Sequence, residues 1–418
     1  MIRNMSIIIL QMALLLILGS DVTAKPASRY LITDYGAVGD GQTLNTKAIQ
    51  SAIDICKSKG GGTIVVPEGI FLSGAVFLKQ GVNLHIEKDG VLKGTVNPED
   101  YPQVFTRWEG IECEWTSAFI NAFDMTGVHL TGKGTIDGSG DQWMEHFPRN
   151  SRELLVGRPR LIAIQNCTDV LVSGLSLKNQ ACWGLFILYS RDVNVKNLTI
   201  CAEHNIISSD GIDIDSSKRI RIKGCNIDVN DDCIAIKSGK DEDGRRVNRP
   251  AEEILIRKCR FCYGHGGVSM GSEMSGGIRN VEIHGCIVEA DNWAPIRFKS
   301  QPSRGGIIEN ITYRNIKLHH TRKAFEFNME WRMVPPVKPP SDPLPVVRNV
   351  NIINVSGTVQ SVGDMHGLKD SPIQNVTFKN CKISAQKGFI LENVKDLDIS
   401  GLDLKVAEGE AMIYKSAQ

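Results

Sequence analysis

The sequence predicts an all-β chain wound as a single-stranded right-handed parallel β-helix, a solenoid, closed at its start by an N-terminal capping helix. Three observations carry that expectation: one short unit recurs along the chain, apolar residues alternate within it at period two, and Gly, Asn or Lys follows at a fixed position. The unit reads VHLTG from Val128, VLVSGL from Val170, VNVKNL from Val193, IRIKGC from Ile220 and ILIRKC from Ile254. It continues as VEIHGC from Val281, ITYRNI from Ile311, VNIINV from Val350, VTFKNC from Val376 and LDISGL from Leu397. From Val170 onward, successive starts lie 23, 27, 34, 27, 30, 39, 26 and 21 residues apart. Alternation at period two means strand, and the residue that ends it marks a bend. No coil of this length can bury its apolar face alone. Neighbours must stack into one continuous core, so residues 25–418 are expected to form one domain.

The elements follow in chain order. Arg3 precedes an apolar run from Ile7 to Gly19, and small residues follow around Val22-Thr23-Ala24. That run is short for a membrane span and has the form of a signal peptide, residues 1–24, so the mature protein is expected to be exported, extracellular or periplasmic, and soluble. From Thr46 to Lys57, Ala48, Ile49, Ala52, Ile53 and Cys56 share one helical face, and Gly60, Gly61 and Gly62 end the helix. Before seven of the ten recurring units stands Asp or Asn at one turn position: Asp169, Asp192, Asn280, Asn310, Asn349, Asn375 and Asp396. Glycosylation-like triplets at Asn166, Asn197, Asn310, Asn354 and Asn375 recur with the coil, so these asparagines are read as turn residues. Two inserts interrupt the rhythm, a charged one from Lys240 to Pro250 and a proline-rich one from Val334 to Pro345 that must leave the stack. Eleven cysteines in an exported chain suggest disulfides. However, Cys167, Cys225, Cys259, Cys286 and Cys381 fall within the repeat, where small buried residues stack, and few disulfides are expected.

Composition excludes some functions. The 418 residues are 42% hydrophobic and 23% charged, as in a globular protein, and 48 Lys+Arg oppose 47 Asp+Glu. A net charge of +1 leaves no broad basic surface for nucleic acid. No second long apolar run calls for a membrane, and a monomer is expected.

A second strand follows in each coil and can be aligned on Ile212, Ile234, Val268 and Ile296. Asp210 and Asp232 then both fall two residues before the anchor, in adjacent coils. Strands in register stack about 4.8 Å apart, so the two carboxylates should be neighbours. Asp231 and His265 both fall three residues before theirs. Arg297 and Lys299 lie one and three residues after theirs, on the outward face shared with Asp213, Asp215 and Lys237. Carboxylates this close raise one another's pKa, a cost that favours a functional reason. One protonated acid and a pair holding water would suit inverting glycoside hydrolysis, with Arg297 and Lys299 as partners for an acidic sugar. Two metal readings stand beside this one: Asp210, Asp231 and Asp232 around Ca²⁺, or Cys259, Cys262 and His265 as half a zinc site. Cys259 belongs to the cysteine column and no second ligand pair is evident, so no metal and no cofactor is expected.

At these residues the sequence resembles the polygalacturonases of glycoside hydrolase family 28. The motifs run in order: Ser208-Ser209-Asp210-Gly211-Ile212-Asp213, Asn230-Asp231-Asp232-Cys233, Gly264-His265-Gly266 and Arg297-Phe298-Lys299. Runs from Asp34 to Gly41, Gly60 to Pro67 and Gly134 to Gly138 resemble the same superfamily, so the likeness covers nearly all of the mature chain. The resemblance implies secreted, inverting hydrolysis of α-1,4-galacturonosyl bonds in pectin, endo or exo. It implies that Asp231 protonates the leaving oxygen, that Asp210 and Asp232 activate water, that His265 assists and that Arg297 and Lys299 bind the uronate. Ser208-Ser209 stands where the family usually has Asn-Thr, and Phe298 where it usually has Ile. Both are expected beside the cleft, where they bear on substrate choice between galacturonan and rhamnogalacturonan. Other readings of the same fold are a Ca²⁺-dependent pectate lyase, a non-catalytic carbohydrate-binding β-helix and a phage-type adhesin.

Overall fold

Ten copies of the recurring unit lie in one unbroken ladder. Val128 pairs with Val170, and Val193, Ile220, Ile254, Val281, Ile311, Val350, Val376 and Leu397 follow in turn, all parallel and in register. This is the computed structural model of the chain, and it describes residues 28–146, 157–332 and 338–415. The leader expected at residues 1–24 lies outside them. Among the described residues thirty-two strands join in one system of parallel pairing, a right-handed parallel β-helix. A second ladder runs from Ile162 through Leu185, Ile212, Ile234, Val268 and Ile296 to Phe325, which is the alignment expected from the sequence. A third runs from Leu177 through Ile200, Ile227, Phe261 and Val288 to Leu318. Anchors of all three face inward into one apolar core that extends from Tyr30 to Leu391.

The bends explain the polar residues of the repeat. Asp169, Asp192, Asn280, Asn310, Asn349, Asn375 and Asp396 all have φ between 51° and 58°, the left-handed region where Asn and Asp are tolerated best. The asparagine side chains then form columns. Asn310 Nδ2 donates to Asn280 Oδ1 at 3.1 Å, Asn349 to Asn310 at 3.1 Å and Asn375 to Asn349 at 2.7 Å. At the other bend, Asn354 donates to Asn315 and Asn380 to Asn354, both at 2.8 Å. Each amide is both donor and acceptor, so a column satisfies itself coil by coil.

All eleven cysteines are free. Cys225, Cys259 and Cys286 occupy consecutive coils, and each thiol donates to the carbonyl two residues before it, at 3.8, 3.5 and 3.7 Å. Cys381 holds the same position further on. Cys167 does not: its backbone N–H donates to Ser190 Oγ, and Ser190 N–H to Ser217 Oγ, so it heads a serine column at a different bend. The Asn that precedes Cys167 is a bend residue that opens a strand, whereas the Gly, Lys or Asn before the others closes one.

The helix Thr46–Ser58 buries Ile49, Ala52, Ile53 and Cys56, with Ala48 half-buried, and packs on the first strands as a cap. The charged insert is partly helical, over Asp241–Val247. In the proline-rich insert, residues 338–345 lie outside the strands, as expected. An antiparallel hairpin, Gln103–Trp108 with Ile111–Thr116, has no counterpart in the repeat and was not legible in it. Among the described residues no helix is long and apolar enough to cross a membrane.

Candidate active site

The second ladder brings the six candidate residues to one cleft. Gly211 N–H donates to the Asp232 carbonyl at 3.0 Å and His265 N–H to the Asp231 carbonyl at 3.0 Å, so the peptides of the candidates are themselves rungs between coils. One carboxylate oxygen from each of Asp210, Asp231 and Asp232 lies within 4.8 Å of the others. His265 Nδ1 stands 3.3 Å from Asp231 Oδ1. The cleft, of about 440 Å³, is lined by all six, together with Trp183, Trp293 and Trp331 as aromatic walls.

The three carboxylates have different environments. Asp232 is buried, which works against its charge, yet Lys299, Arg297 and Lys237 outweigh that and hold it well below the usual carboxylate range. Its Oδ2 accepts from Lys299 Nζ at 2.6 Å, and its Oδ1 from Ser269 Oγ at 2.7 Å and Arg297 Nη1 at 3.2 Å. Burial likewise opposes the charge of Asp231, and the hydrogen bond from His265 overcomes it, so its pKa is lowered. In return the Asp231 hydrogen bond raises the His265 imidazole above its ordinary value. Asp210 goes the other way: burial, then the charges of Asp213 and Asp231, push it well above the carboxylate range. The net shift is therefore upward at Asp210 and downward at Asp231, where the imidazole outweighs burial and the charge of Asp232.

Behind the site sits a second buried set. Asp213 is wholly buried, both of its oxygens lack a hydrogen-bond partner, and burial raises its pKa to about 8. Lys237 lies 3.7 Å from Asp213 and 3.3 Å from Glu273.

Arg297 and Lys299, expected to meet substrate, already hold protein partners. Arg297 Nε donates to Glu326 Oε2 at 2.6 Å while Nη1 reaches Asp232, and the Trp331 ring centroid lies 4.6 Å from the guanidinium. Phe298 does not flank the cleft. It alternates inward, is fully buried and stacks on Phe327 at 4.2 Å. Period-two alternation between two outward cations requires this, so of the two departures only Ser208 reaches the cleft.

A divalent cation fits poorly among the three carboxylates, because Asp232 already accepts from a lysine, an arginine and a serine, and those cations would face the ion. Cys259 and His265 do not form a zinc site either: Cys259 is buried in the cysteine column and His265 faces the cleft.

Some residues in and around the site were missed. Glu326 follows an anchor by one residue, as Arg297 does, and was readable from the register. Trp108 and Glu109 belong to the hairpin and carry no repeat signal. Trp183, Trp293 and Trp331 lie outside the period-two runs that the alignment used.

Fold and site together define a β-helical glycoside hydrolase. The chain belongs to the glycosyl hydrolases family 28, whose family model matches residues 56–402. A probable polygalacturonase of Vitis vinifera is 31% identical over 375 residues, spanning 87% of this chain and 76% of that protein. An exo-poly-alpha-D-galacturonosidase of Dickeya chrysanthemi is 26% identical over 427 residues, spanning 89% and 70%. The crystal structure of a hyperthermoactive exopolygalacturonase from Thermotoga maritima superposes with a TM-score of 0.72 at 28% identity, covering 93% of this chain and 92% of that one.

Proposed function

We propose that the protein is a secreted polygalacturonase that hydrolyses α-1,4-linked galacturonic acid bonds in pectin with inversion, using Asp231 as acid and Asp210 with Asp232 as the water-holding pair. The observation that carries this reading is the set of three carboxylates within 4.8 Å, one tied to an imidazole and one to two cations. The relatives' names supply the sugar. In this reading residues 1–24 are a removed signal peptide, residues 25–418 are one catalytic domain acting as a monomer, and no cofactor takes part.

His265 passes its proton to Asp231, which gives it to the glycosidic oxygen as the C1–O bond breaks. Water between Asp210 and Asp232 forms the new bond to C1, and its proton goes to Asp210. A raised pKa makes Asp210 the better acceptor once ionised, while Asp232 stays anionic and orients the water. Arg297 and Lys299 also neutralise the neighbourhood of a uronate as it arrives.

The anomer decides the stereochemistry. Inverting enzymes usually hold acid and base ~6.5–9.5 Å apart across the ring and retaining ones ~5–5.5 Å. Here one oxygen from each of the three carboxyls lies within 4.8 Å of the others, closer than either class, so inversion follows from the water held between Asp210 and Asp232 and not from this separation. Proton NMR of galacturonan digests in the first minutes should show the inverted anomer. Asp231→Asn should lower kcat by ~10²–10⁴ with little change in KM, and the loss should shrink on a substrate whose leaving group needs no proton. A retained anomer, or a near-normal Asp231→Asn rate on polymer, overturns the assignment. An unsaturated product lost with chelator would indicate a lyase, and a rate confined to rhamnogalacturonan would move the substrate.

A further inference from the structure

The outward face of the second ladder is not equally open on the two sides of the catalytic coils. On the side toward the chain's start, its outward residues are Phe186 and Leu188, then Asp213 and Asp215. All four are fully buried although they point away from the core. Phe186 and Leu188 form a separate apolar cluster with Cys182 and Trp183, against which Trp108 and Tyr189 pack.

What covers them is the hairpin Gln103–Thr116. Trp108 stacks on Trp115 at 4.4 Å and on Trp183 at 5.0 Å, in a layer three rings deep. Arg107 crosses to Asp215 Oδ1 at 2.6 Å and to Ser216 Oγ at 2.8 Å, and Gln165 Nε2 donates to the Phe105 carbonyl at 3.1 Å. The tip is tied down beyond Asp215. Lys240 N–H donates to the Gly110 carbonyl at 2.8 Å, and Glu112 N–H to Asp243 Oδ2 at 3.0 Å. Gly110 has φ +82° and no room for a side chain: a Cβ there would stand 2.5 Å from Lys240 Cβ and 2.9 Å from Glu273 Cγ. The hairpin therefore spans the groove and docks on its far bank.

On the other side of the catalytic coils, the same outward rows run on through Glu326 and Asn328 to Asp364 and His366. There the described surface holds a second depression of about 320 Å³, lined by Asn328, Glu330, Asp364 and His366 among others. The cleft thus ends at Trp183 and Glu109 on the hairpin side, and a separate depression lies on the same outward rows on the other side.

We infer that the hairpin Gln103–Thr116 makes the cleft a dead-ended pocket that accepts only a chain terminus, so the enzyme releases short products from one end of the uronan. This rests on the polygalacturonase reading and adds the mode of attack. A polymer lying across Asp210, Asp231 and Asp232 would have to pass through the Trp108–Trp183 layer. A terminal sugar would instead rest against Trp183.

The test is the size distribution of products over time, with viscosity, on polygalacturonate. One short product from the first time point, with viscosity falling only in step with reducing ends, is expected. A mixed ladder of oligomers with early collapse of viscosity overturns the inference and leaves the polygalacturonase reading standing. No hydrolysis of any galacturonan overturns both. Oligogalacturonides blocked at one end, either reduced at C1 or unsaturated at the opposite terminus, give an independent arm: one type should resist and the other be cut. Equal cutting of both is incompatible with a stopped end. Replacing residues 105–114 by a short Gly-Ser link should convert the single product into a mixture. Should that variant fail to fold, the wild-type products and the blocked oligomers still decide.

Discussion

Lys299 Nζ lies 2.6 Å from Asp232 Oδ2, and both side chains are almost wholly out of water. The pair makes Asp232 a permanent anion in a cleft where its neighbour Asp210 is pushed toward the neutral form. Two residues of one ladder, two coils apart along the stack, thus set which carboxyl carries charge.

Lys299→Met should leave that anion half-compensated. Breaking a buried pair costs ~3–5 kcal/mol. The Asp232 pKa is depressed in the folded state, so the wild-type contribution is present above the unfolded carboxylate value and disappears as pH falls through the folded one. The deficit of Lys299→Met should therefore be large at pH 7 and shrink in acid. Urea midpoints across that range measure it.

The rate should follow a bell in pH. Its acid limb belongs to Asp210, which must lose its proton to accept one from water, and lies above the ordinary carboxylate range because burial raises that pKa. The alkaline limb belongs to His265, whose pKa is raised by Asp231. In His265→Gln the proton must reside on a carboxyl alone, so the alkaline limb should move to lower pH. An unmoved limb in the kcat profile would remove His265 from proton delivery.

Asp213 offers a separate handle on stability. Its pKa is raised to about 8, so between the unfolded carboxylate value and about pH 8 the folded state holds a proton that the unfolded state has lost. Stability must then fall as pH rises across that window. Asp213→Asn carries no such proton, and its melting temperature should vary less between pH 5 and pH 8 than that of the wild type.

The asparagine columns predict an order of variants at Asn349, which donates to Asn310 and accepts from Asn375. Asn349→Ala loses both bonds and puts Ala at φ 57°, a cost of ~1–3 kcal/mol. Asn349→Gly loses the bonds but not the backbone preference, and should cost less. Equal denaturation midpoints for the two would show that the bend does not select its residue.

Much of this was legible because a solenoid repeats. Period two sets the inward and outward faces, and the anchors Ile212, Ile234, Val268 and Ile296 align Asp210 with Asp232 and Asp231 with His265 from the sequence alone. The same rule places Phe298 in the core. Two things were not legible. The hairpin at Gln103–Thr116 is stabilised by contacts with distant coils, such as Arg107 to Asp215, which no local pattern encodes. The proton distribution among three carboxyls depends on which one meets the imidazole, at 3.3 Å, and that is a side-chain fact rather than a register.

Because the Asp232 and Asp231 carbonyls accept the amides of Gly211 and His265, the gap between reacting groups is a lattice constant of the winding. It cannot drift while the coils stay zipped, and no loop motion can retune it. Thermal inactivation should then track the unzipping of these coils rather than precede it. Evolution toward a new sugar is left to the walls and ends of the cleft.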